Sequence, residues 1–145
     1  MLIKEITTGR EDYWDLLLLA DPSRDMVEKY LNTGFMLAAT EADETVGEII
    51  VVPISSAEWE IKNLAVEEAH HGQGYGTALI LSSVGRLPRG TALLVGTSDF
   101  GAAFYEKCGF TYFRTETDFF TKNYPEPIFE NGVRCVNMIY LKRIV

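Results

Sequence analysis

Three glycines, Gly72, Gly74 and Gly76, alternate with other residues between an apolar strand pattern and a helix-forming run. Glycine at the start of a helix lets the backbone approach a ligand closely, and the first N–H groups of a helix have no internal partner. A turn of this kind is suited to a phosphate or pyrophosphate group. The spacing therefore predicts that a phosphorylated cofactor binds at this turn.

The spacing also excludes two common phosphate-binding motifs. A dinucleotide fingerprint requires a third glycine where this chain has Thr77. A P-loop requires a lysine at its end, but this chain has no lysine between Lys62 and Lys107. The remaining pattern resembles the pyrophosphate loop of the GNAT superfamily of acyl-CoA-dependent N-acetyltransferases, which follows a strand ending in Leu-x-Val. His71 stands where that loop usually has arginine or glutamine. This difference concerns one side-chain contact and leaves the backbone cradle intact.

A second motif, residues 98–110, resembles a later helix of the same superfamily, which ends in Tyr-Glu-Lys-x-Gly-Phe. Gly109 is expected to close that helix in a left-handed conformation, with Phe110 as its hydrophobic partner. The two motifs occur in the order typical of the superfamily, with a buried strand pattern between them. Together they identify a resemblance that covers about residues 1–120.

The composition predicts a single globular domain over residues 1–145, with 47% hydrophobic residues and no apolar run long enough to span a membrane. The net charge of −8 argues against nucleic-acid binding and is compatible with a cationic substrate. Cys108 and Cys135 lack metal-ligand spacing, so we expect neither a metal site nor a disulfide scaffold. The start of the chain lacks a signal-peptide pattern, which favours a cytoplasmic protein.

The order of strand and helix patterns predicts an α+β fold. The resemblance implies a central mixed, mostly antiparallel sheet of about seven strands flanked by about four helices. Strand patterns cover residues 1–6, 35–40, 46–54, 58–66, 92–97, 111–117 and 133–141, and helical patterns cover residues 11–20, 74–87 and 99–108. Asp21 and Pro22 are expected to be the N-cap and the first position of a further helix, which Gly34 ends.

The fourth strand pattern changes its parity halfway. Trp59 and Ile61 share one face by alternation, whereas Leu64 and Val66 have the opposite parity. A β-bulge near Asn63 is the simplest device that restores all four side chains to one face. The resemblance implies that this bulged strand parts from the next one, and that the pantetheine arm of CoA lies in the gap against main-chain groups of Leu64 and Val66.

The resemblance also implies a cosubstrate and its contacts. The cosubstrate is acetyl-CoA, whose pyrophosphate the backbone N–H groups of residues 72–77 are expected to surround. The complete set of expected cofactor-binding residues is Leu64, Ala65, Val66, His71, Gly72, Gln73, Gly74, Tyr75, Gly76, Thr77, Ser98, Phe104 and Tyr105.

Transfer of an acyl group to an amine requires a base for the ammonium and an acid for the leaving thiolate. Tyr105 matches the superfamily's tyrosine that donates a proton to the CoA sulfur, since a phenol with a pKa of about 10 is protonated at neutral pH. Glu60 lies before Leu64, where some GNAT enzymes place the base. By strand alternation Glu60 also shares a face with Glu58 and Lys62, and it fits a solvated charge ladder equally well.

The expected reaction moves an acetyl group to a primary amine of a small molecule or a peptide. Residues 118–132 combine aromatic, proline and acidic side chains, and they fit either the lip of an acceptor groove or a homodimer contact. Two other interpretations stay open. One is a catalytically silent acyl-CoA-binding regulatory module of the same fold, and the other is an interaction protein that binds a nucleotide or phosphate at the glycine turn.

Overall fold

The strand patterns of the sequence form one mixed sheet in the computed structural model, which describes residues 1–130 and 132–145. Asn131, part of the predicted segment 118–132, lies outside the described residues. In chain order the described strands and helices are β1 (Leu2–Glu5), α1 (Trp14–Ala20), α2 (Arg24–Glu28), β2 (Phe35–Glu41), β3 (Glu44–Pro53), β4 (Glu58–Val66), α3 (Tyr75–Val84), β5 (Ala92–Thr97), α4 (Ala102–Lys107), β6 (Thr111–Glu116), α5 (Phe119–Asn123), β7 (Phe129–Glu130), β8 (Val133–Arg134) and β9 (Met138–Ile144).

Within these residues the main sheet has seven strands in the order β1-β2-β3-β4-β5-β9-β6, and β7 and β8 form a separate hairpin. Neighbouring strands of the main sheet are antiparallel except β4 and β5, which are parallel. A parallel pair needs a crossover connection, and α3 supplies it. The start of α3 therefore lies at the carboxyl end of β4. The predicted α+β class with a mostly antiparallel mixed sheet is confirmed.

Both faces of the sheet are covered by helices. On β3, Ile49 and Val51 belong to the core cluster that contains Leu79 and Ile80 of α3. The side chains between them, such as Ile50, belong to a second cluster with α1 and α2. Burial on both faces explains the unbroken apolar run of this strand. No helix among the described residues is long and apolar enough to cross a membrane.

The predicted bulge in β4 is confirmed. Ile50 pairs with Asn63 and Val51 pairs with Ile61, so Lys62 is the extra residue of β4. Trp59, Ile61, Leu64 and Val66 consequently all contact one core cluster. Pairing between β4 and β5 begins at Glu58 and ends where Ile61 meets Val95, so the following part of β4 diverges from β5.

Two local predictions are wrong. The cap of α2 is Ser23, whose hydroxyl accepts the N–H of Met26, rather than Asp21, and the helix ends at Glu28, before Gly34. Asp21 instead turns its carboxylate toward two tyrosines from other parts of the chain. The strand predicted over residues 133–141 is broken, because Val133–Arg134 pairs with β7 before the chain returns to the main sheet at Met138.

Candidate active site

The glycine turn between β4 and α3 is open. Gly72 and Gly74 have φ values of 77° and 87°, in the left-handed region that glycine adopts without strain. A Cβ atom added at either position would meet nothing within 4 Å. Both residues are therefore required by the backbone conformation, and the space in front of them is free for a ligand.

The first turn of α3 faces this space with unpaired donors. Gly74 is the N-cap, and the first helical hydrogen bond runs from the Ala78 N–H to the Gly74 carbonyl at 3.0 Å. The N–H groups of Tyr75, Gly76 and Thr77 accordingly have no partner within the helix. The first turn contains no acidic side chain. These donors and the positive end of the helix dipole suit an anionic group such as a pyrophosphate.

A cavity of about 600 Å³ lies between the glycine turn, the end of β4 and α4. Of the predicted cofactor residues it is lined by Leu64, Val66, His71, Gly72, Gly74, Tyr75, Gly76, Thr77, Phe104 and Tyr105, and in addition by His70, Thr97, Gly101 and Glu130. The predicted residues Ala65, Gln73 and Ser98 do not line it. Ala65 pairs with Glu48 of β3 and is buried. We call this space the cofactor cavity.

The main chain at the end of β4 is directed into the gap that β5 leaves. The Glu67 N–H donates to the Val46 carbonyl at 2.8 Å, which marks a hydrogen-bonded position of the antiparallel ladder. Because bonded and non-bonded positions alternate, the polar groups of Leu64 and Val66 point away from β3. The Val66 carbonyl already accepts a hydrogen bond from Nε2 of His71 at 2.8 Å, and this bond fixes the turn against the strand.

A second cavity of about 600 Å³ lies on the other side of that gap, under α5 and the β7–β8 hairpin. We call it the acceptor cavity. It draws residues from the end of α1, from β4 and β5, and from the late part of the chain. Leu64, Thr97, Tyr105 and Glu130 line both cavities. The two spaces therefore meet at a junction that contains a phenol and a carboxylate.

Tyr105 reaches the junction because α4 starts very close to β5. A Cβ atom at Gly101 would lie 2.0 Å from Oγ1 of Thr97, so only glycine permits this approach. Burial raises the pKa of Tyr105, with the neighbouring Cys108 and Glu48 adding to the effect. Its hydroxyl has no hydrogen-bond partner among the side chains that the structure describes. Tyr105 is thus a neutral phenol available as a proton donor.

Glu60 does not reach either cavity. Its carboxylate lies 3.3 Å from Nζ of Lys62 across the bulge, as in the charge-ladder interpretation. The structure therefore does not bring the two predicted catalytic residues, Glu60 and Tyr105, to one cavity surface.

Glu130 is the carboxylate at the junction, and no motif of the sequence predicts its role. Oε2 of Glu130 accepts a hydrogen bond from Oγ of Ser98 at 2.6 Å. Ser98, predicted as a cofactor contact, lies in the acceptor cavity and orients this carboxylate. The acidic and aromatic composition of residues 118–132 was the available signal, but it distinguished no single residue.

The remaining reactive side chains form no further centre in the described part of the chain. Cys108 and Cys135 are both free and buried. No group of three or more histidine, cysteine, aspartate or glutamate side chains there is arranged to hold a metal ion. At the junction of the two cavities, the hydroxyl of Tyr105 can donate a proton and the carboxylate of Glu130 can accept one.

This arrangement of a glycine turn, a diverging strand pair and a tyrosine at the gap defines an acyltransferase site. The acetyltransferase (GNAT) domain model matches residues 32–112, and the chain belongs to this family. An uncharacterized N-acetyltransferase of Bacillus subtilis strain 168, YvbK, is 35% identical over 136 residues, which are 90% of this chain and 88% of the relative.

Solved structures of similar proteins agree with this assignment. A GNAT family acetyltransferase from Elizabethkingia anophelis, with acetyl-CoA bound, has a TM-score of 0.89 and 36% identity, over 99% of this chain and 97% of that one. A Bacillus subtilis acetyltransferase in complex with CoA has a TM-score of 0.87 and 32% identity over the same shares. The chain is similar to both along nearly its whole length.

Proposed function

We propose that this GNAT protein is an N-acetyltransferase that uses acetyl-CoA to acetylate a primary amine of a small molecule or peptide. The observation that carries the proposal is the junction of the two cavities at Leu64, Thr97, Tyr105 and Glu130. A donor bound on one side and an amine on the other would meet beside a phenol and a carboxylate. Transfer between two bound substrates needs such a meeting point.

The cofactor cavity fits acetyl-CoA. The N–H groups at the start of α3 would hold its pyrophosphate, and the free space at Gly72 and Gly74 leaves room for it. Main-chain groups of Leu64 would hold the pantetheine arm. Relatives that are more than 30% identical bind CoA or acetyl-CoA. When bound, acetyl-CoA supplies the acetyl thioester whose C–S bond is replaced by a C–N bond.

Two side chains would move the protons of this exchange. The amine arrives as an ammonium, and Glu130 accepts the proton that blocks its lone pair. Tyr105 donates its hydroxyl proton to the departing sulfur, which leaves as a thiol. The nitrogen loses a second proton on becoming an amide, and this proton returns to the Tyr105 oxygen. The first proton, taken up by Glu130, passes to solvent, so that the reaction releases one proton in total.

The presence of both groups at the junction supports catalysis over the silent regulatory module. A module that only sensed acyl-CoA would need the cofactor cavity but not a second cavity with a carboxylate at its mouth. The predicted base Glu60 is less well placed than Glu130, because Lys62 already neutralises its carboxylate outside both cavities. A single domain, a cytoplasmic location and a homodimer stay predictions from the sequence.

A free-thiol assay with acetyl-CoA tests the proposal. We expect amine-dependent release of CoA with at least one class among simple amines, amino acids, aminoglycosides and peptides, together with the acetylated amine by mass spectrometry. In a thermal-shift comparison, acetyl-CoA at a hundred times its Kd should stabilise the protein by about 2.7 kcal/mol, whereas ATP and NAD should not. Binding of acetyl-CoA without amine-dependent release would favour the silent module. Stabilisation by ATP or NAD alone would contradict the cosubstrate.

A further inference from the structure

The acceptor cavity contains two carboxylates without a cationic partner. Glu130 lies at the junction, whereas Asp21 lines only the acceptor cavity and stands away from the cofactor. Lys62 also lines this cavity, but its ammonium is bound to Glu60. In the described chain neither Asp21 nor Glu130 forms an ion pair. The cavity therefore presents uncompensated negative charge at two separate places.

The carboxylate of Asp21 is held in place from two sides. The Tyr124 hydroxyl of the segment after α5 donates to Oδ1 at 2.8 Å, and the Tyr30 hydroxyl donates to Oδ2 at 3.4 Å. The Ser23 backbone N–H also donates to Oδ1, at 3.2 Å. Burial raises the pKa of both phenols, and the nearby Asp21 carboxylate raises them further. Both phenols therefore stay protonated donors. A carboxylate oriented by neutral donors keeps its full charge for a ligand.

Asn63 lines the same cavity and has a hydrogen-bond acceptor that is unsatisfied within the described chain. Its side chain is 2% exposed and lines the acceptor cavity. Nδ2 donates to the Leu17 carbonyl and to the Tyr30 hydroxyl, each at 3.0 Å. Because a carbonyl only accepts, the amide cannot be reversed, and Oδ1 is left buried without a partner among the described residues. A buried acceptor of this kind costs about 1–3 kcal/mol unless a donor reaches it.

Part of the lining of the acceptor cavity is apolar and aromatic. It includes Leu19, Ile128, Phe129 and Met138, together with Phe120 and Tyr124, whose rings stack with centroids 5.8 Å apart. Such a lining favours a hydrocarbon spacer and disfavours a polyhydroxylated body. A ligand that matches the cavity therefore has a cation at each end and an apolar middle.

We propose that the acceptor is a small diamine with a hydrocarbon spacer, and that Asp21 is the residue that selects it. One ammonium lies at Glu130 and Tyr105, where it is acetylated, and the other binds the Asp21 carboxylate beside Oδ1 of Asn63. This inference rests on the proposed N-acetyltransferase function. A monoamine leaves the charge of Asp21 uncompensated, and an amino alcohol supplies a donor without a charge.

The test compares three amine series of equal spacer length. Unbranched diamines of three to six carbons are measured against the matching monoamines and amino alcohols by amine-dependent CoA release. We expect kcat/KM for the best diamine to exceed that for its monoamine by about tenfold or more, as for a hydrogen bond to a charged group. Asp21→Asn should lower kcat/KM for the diamine about tenfold more than that for the monoamine, so that the preference is lost. Asp25→Asn removes the same charge from the exposed surface of α2 and should keep the preference.

The outcomes separate this inference from the function on which it rests. Equal use of diamines and monoamines by the wild type, or a preference for peptide amines, would overturn the diamine assignment while the acetyltransferase function stands. An equal loss for both amine series in Asp21→Asn would mean that Asp21 only fixes α5. Tyr124→Phe, which keeps Asp21, is a second variant in which the ratio of diamine to monoamine kcat/KM should fall. Absence of CoA release with every amine would refute the function itself.

Discussion

The cofactor cavity and the acceptor cavity have similar volumes but different construction. The first is built largely from one continuous stretch, residues 64–77, and its important groups are backbone N–H donors at Gly74 and the following residues. The second collects side chains from both ends of the chain, so that Asp21 meets Tyr124 across 103 positions. One cavity depends on local conformation, and the other depends on how distant segments pack.

The two cavities therefore depend on side-chain type to different degrees. Backbone donors do not depend on side-chain type, so the cofactor cavity tolerates His71 in place of arginine or glutamine. The acceptor cavity depends on a few carboxylates and aromatic rings that come from separate parts of the chain.

The largest effect is expected from Gly74→Glu. The new side chain enters the free space at a φ of 87° and places a negative charge where a pyrophosphate would bind. We expect the Kd for acetyl-CoA to rise about 100-fold or more, equivalent to about 2.7 kcal/mol. Isothermal titration calorimetry measures it.

Gly90→Glu is the matched control for Gly74→Glu. Gly90 has a φ of 91°, and a Cβ atom there also meets nothing within 4 Å, but this residue precedes β5 and lines neither cavity. Both variants should lose about 1–2 kcal/mol of stability from the left-handed backbone. If both variants bind acetyl-CoA equally well, the glycine turn is not the cofactor cradle.

The next effect tests the base at the junction. Glu130→Gln should lower kcat/KM about 100-fold at neutral pH, the range for loss of a general base. The loss should shrink as the pH approaches about 10, where an aliphatic amine is increasingly unprotonated and needs no base. Glu60 lies outside both cavities, so kcat/KM of Glu60→Gln should stay close to that of the wild type. The opposite ranking of the two variants would restore Glu60 as the base.

Tyr105→Phe should have a smaller effect, because water can partly replace a proton donor to a thiolate. We expect kcat to fall about tenfold or more, with an unchanged Kd for acetyl-CoA, since the ring still fills its place. Tyr112→Phe removes a phenol from the exposed part of β6 and serves as the control. Wild-type turnover in Tyr105→Phe would remove this residue from the chemistry.

The sequence was informative wherever a local pattern determines the structure. The parity change between Ile61 and Leu64 predicted the bulge, because a strand with a buried face must keep its apolar side chains on that face. The three glycines predicted the open turn, because left-handed backbone and unpaired N–H groups follow from residue type alone. These features belong to the cofactor side of the molecule.

The acceptor side could not be predicted in the same way. An Asp-Pro pair before a helix is typical of an N-cap, but Ser23 satisfies the Met26 N–H instead, and Asp21 is released to bind Tyr124. Glu130 is one of several acidic residues late in the chain, and only the fold brings it to Ser98. Local pattern carries no information about which distant segments meet.

Glu48 extends the comparison to the core, where the expected effect is on stability and not on binding or turnover. Its carboxyl is fully buried on β3, across from Ala65 and on the face that Asn63 shares, and neither oxygen has a partner among the described residues. Burial raises the pKa of Glu48 well above its ordinary value. The folded chain therefore keeps this proton at a pH where the unfolded chain, with a glutamate pKa of about 4.3, has lost it.

Below the pKa that Glu48 has in the unfolded chain, both states carry the proton and the free energy of unfolding is not reduced. As the pH rises from there toward the higher pKa of the folded chain, the free energy of unfolding falls. Relative to the wild type, Glu48→Gln should gain free energy of unfolding between about pH 5 and 8, with a slope of at most about 1.4 kcal/mol per pH unit. Urea unfolding across this range measures the difference. Glu44→Gln changes an exposed residue of β3, and its free energy of unfolding should change with pH in the same way as that of the wild type. A constant difference for Glu48→Gln would show that the buried carboxyl is already ionised, and that an unseen donor reaches the polar core beside Asn63.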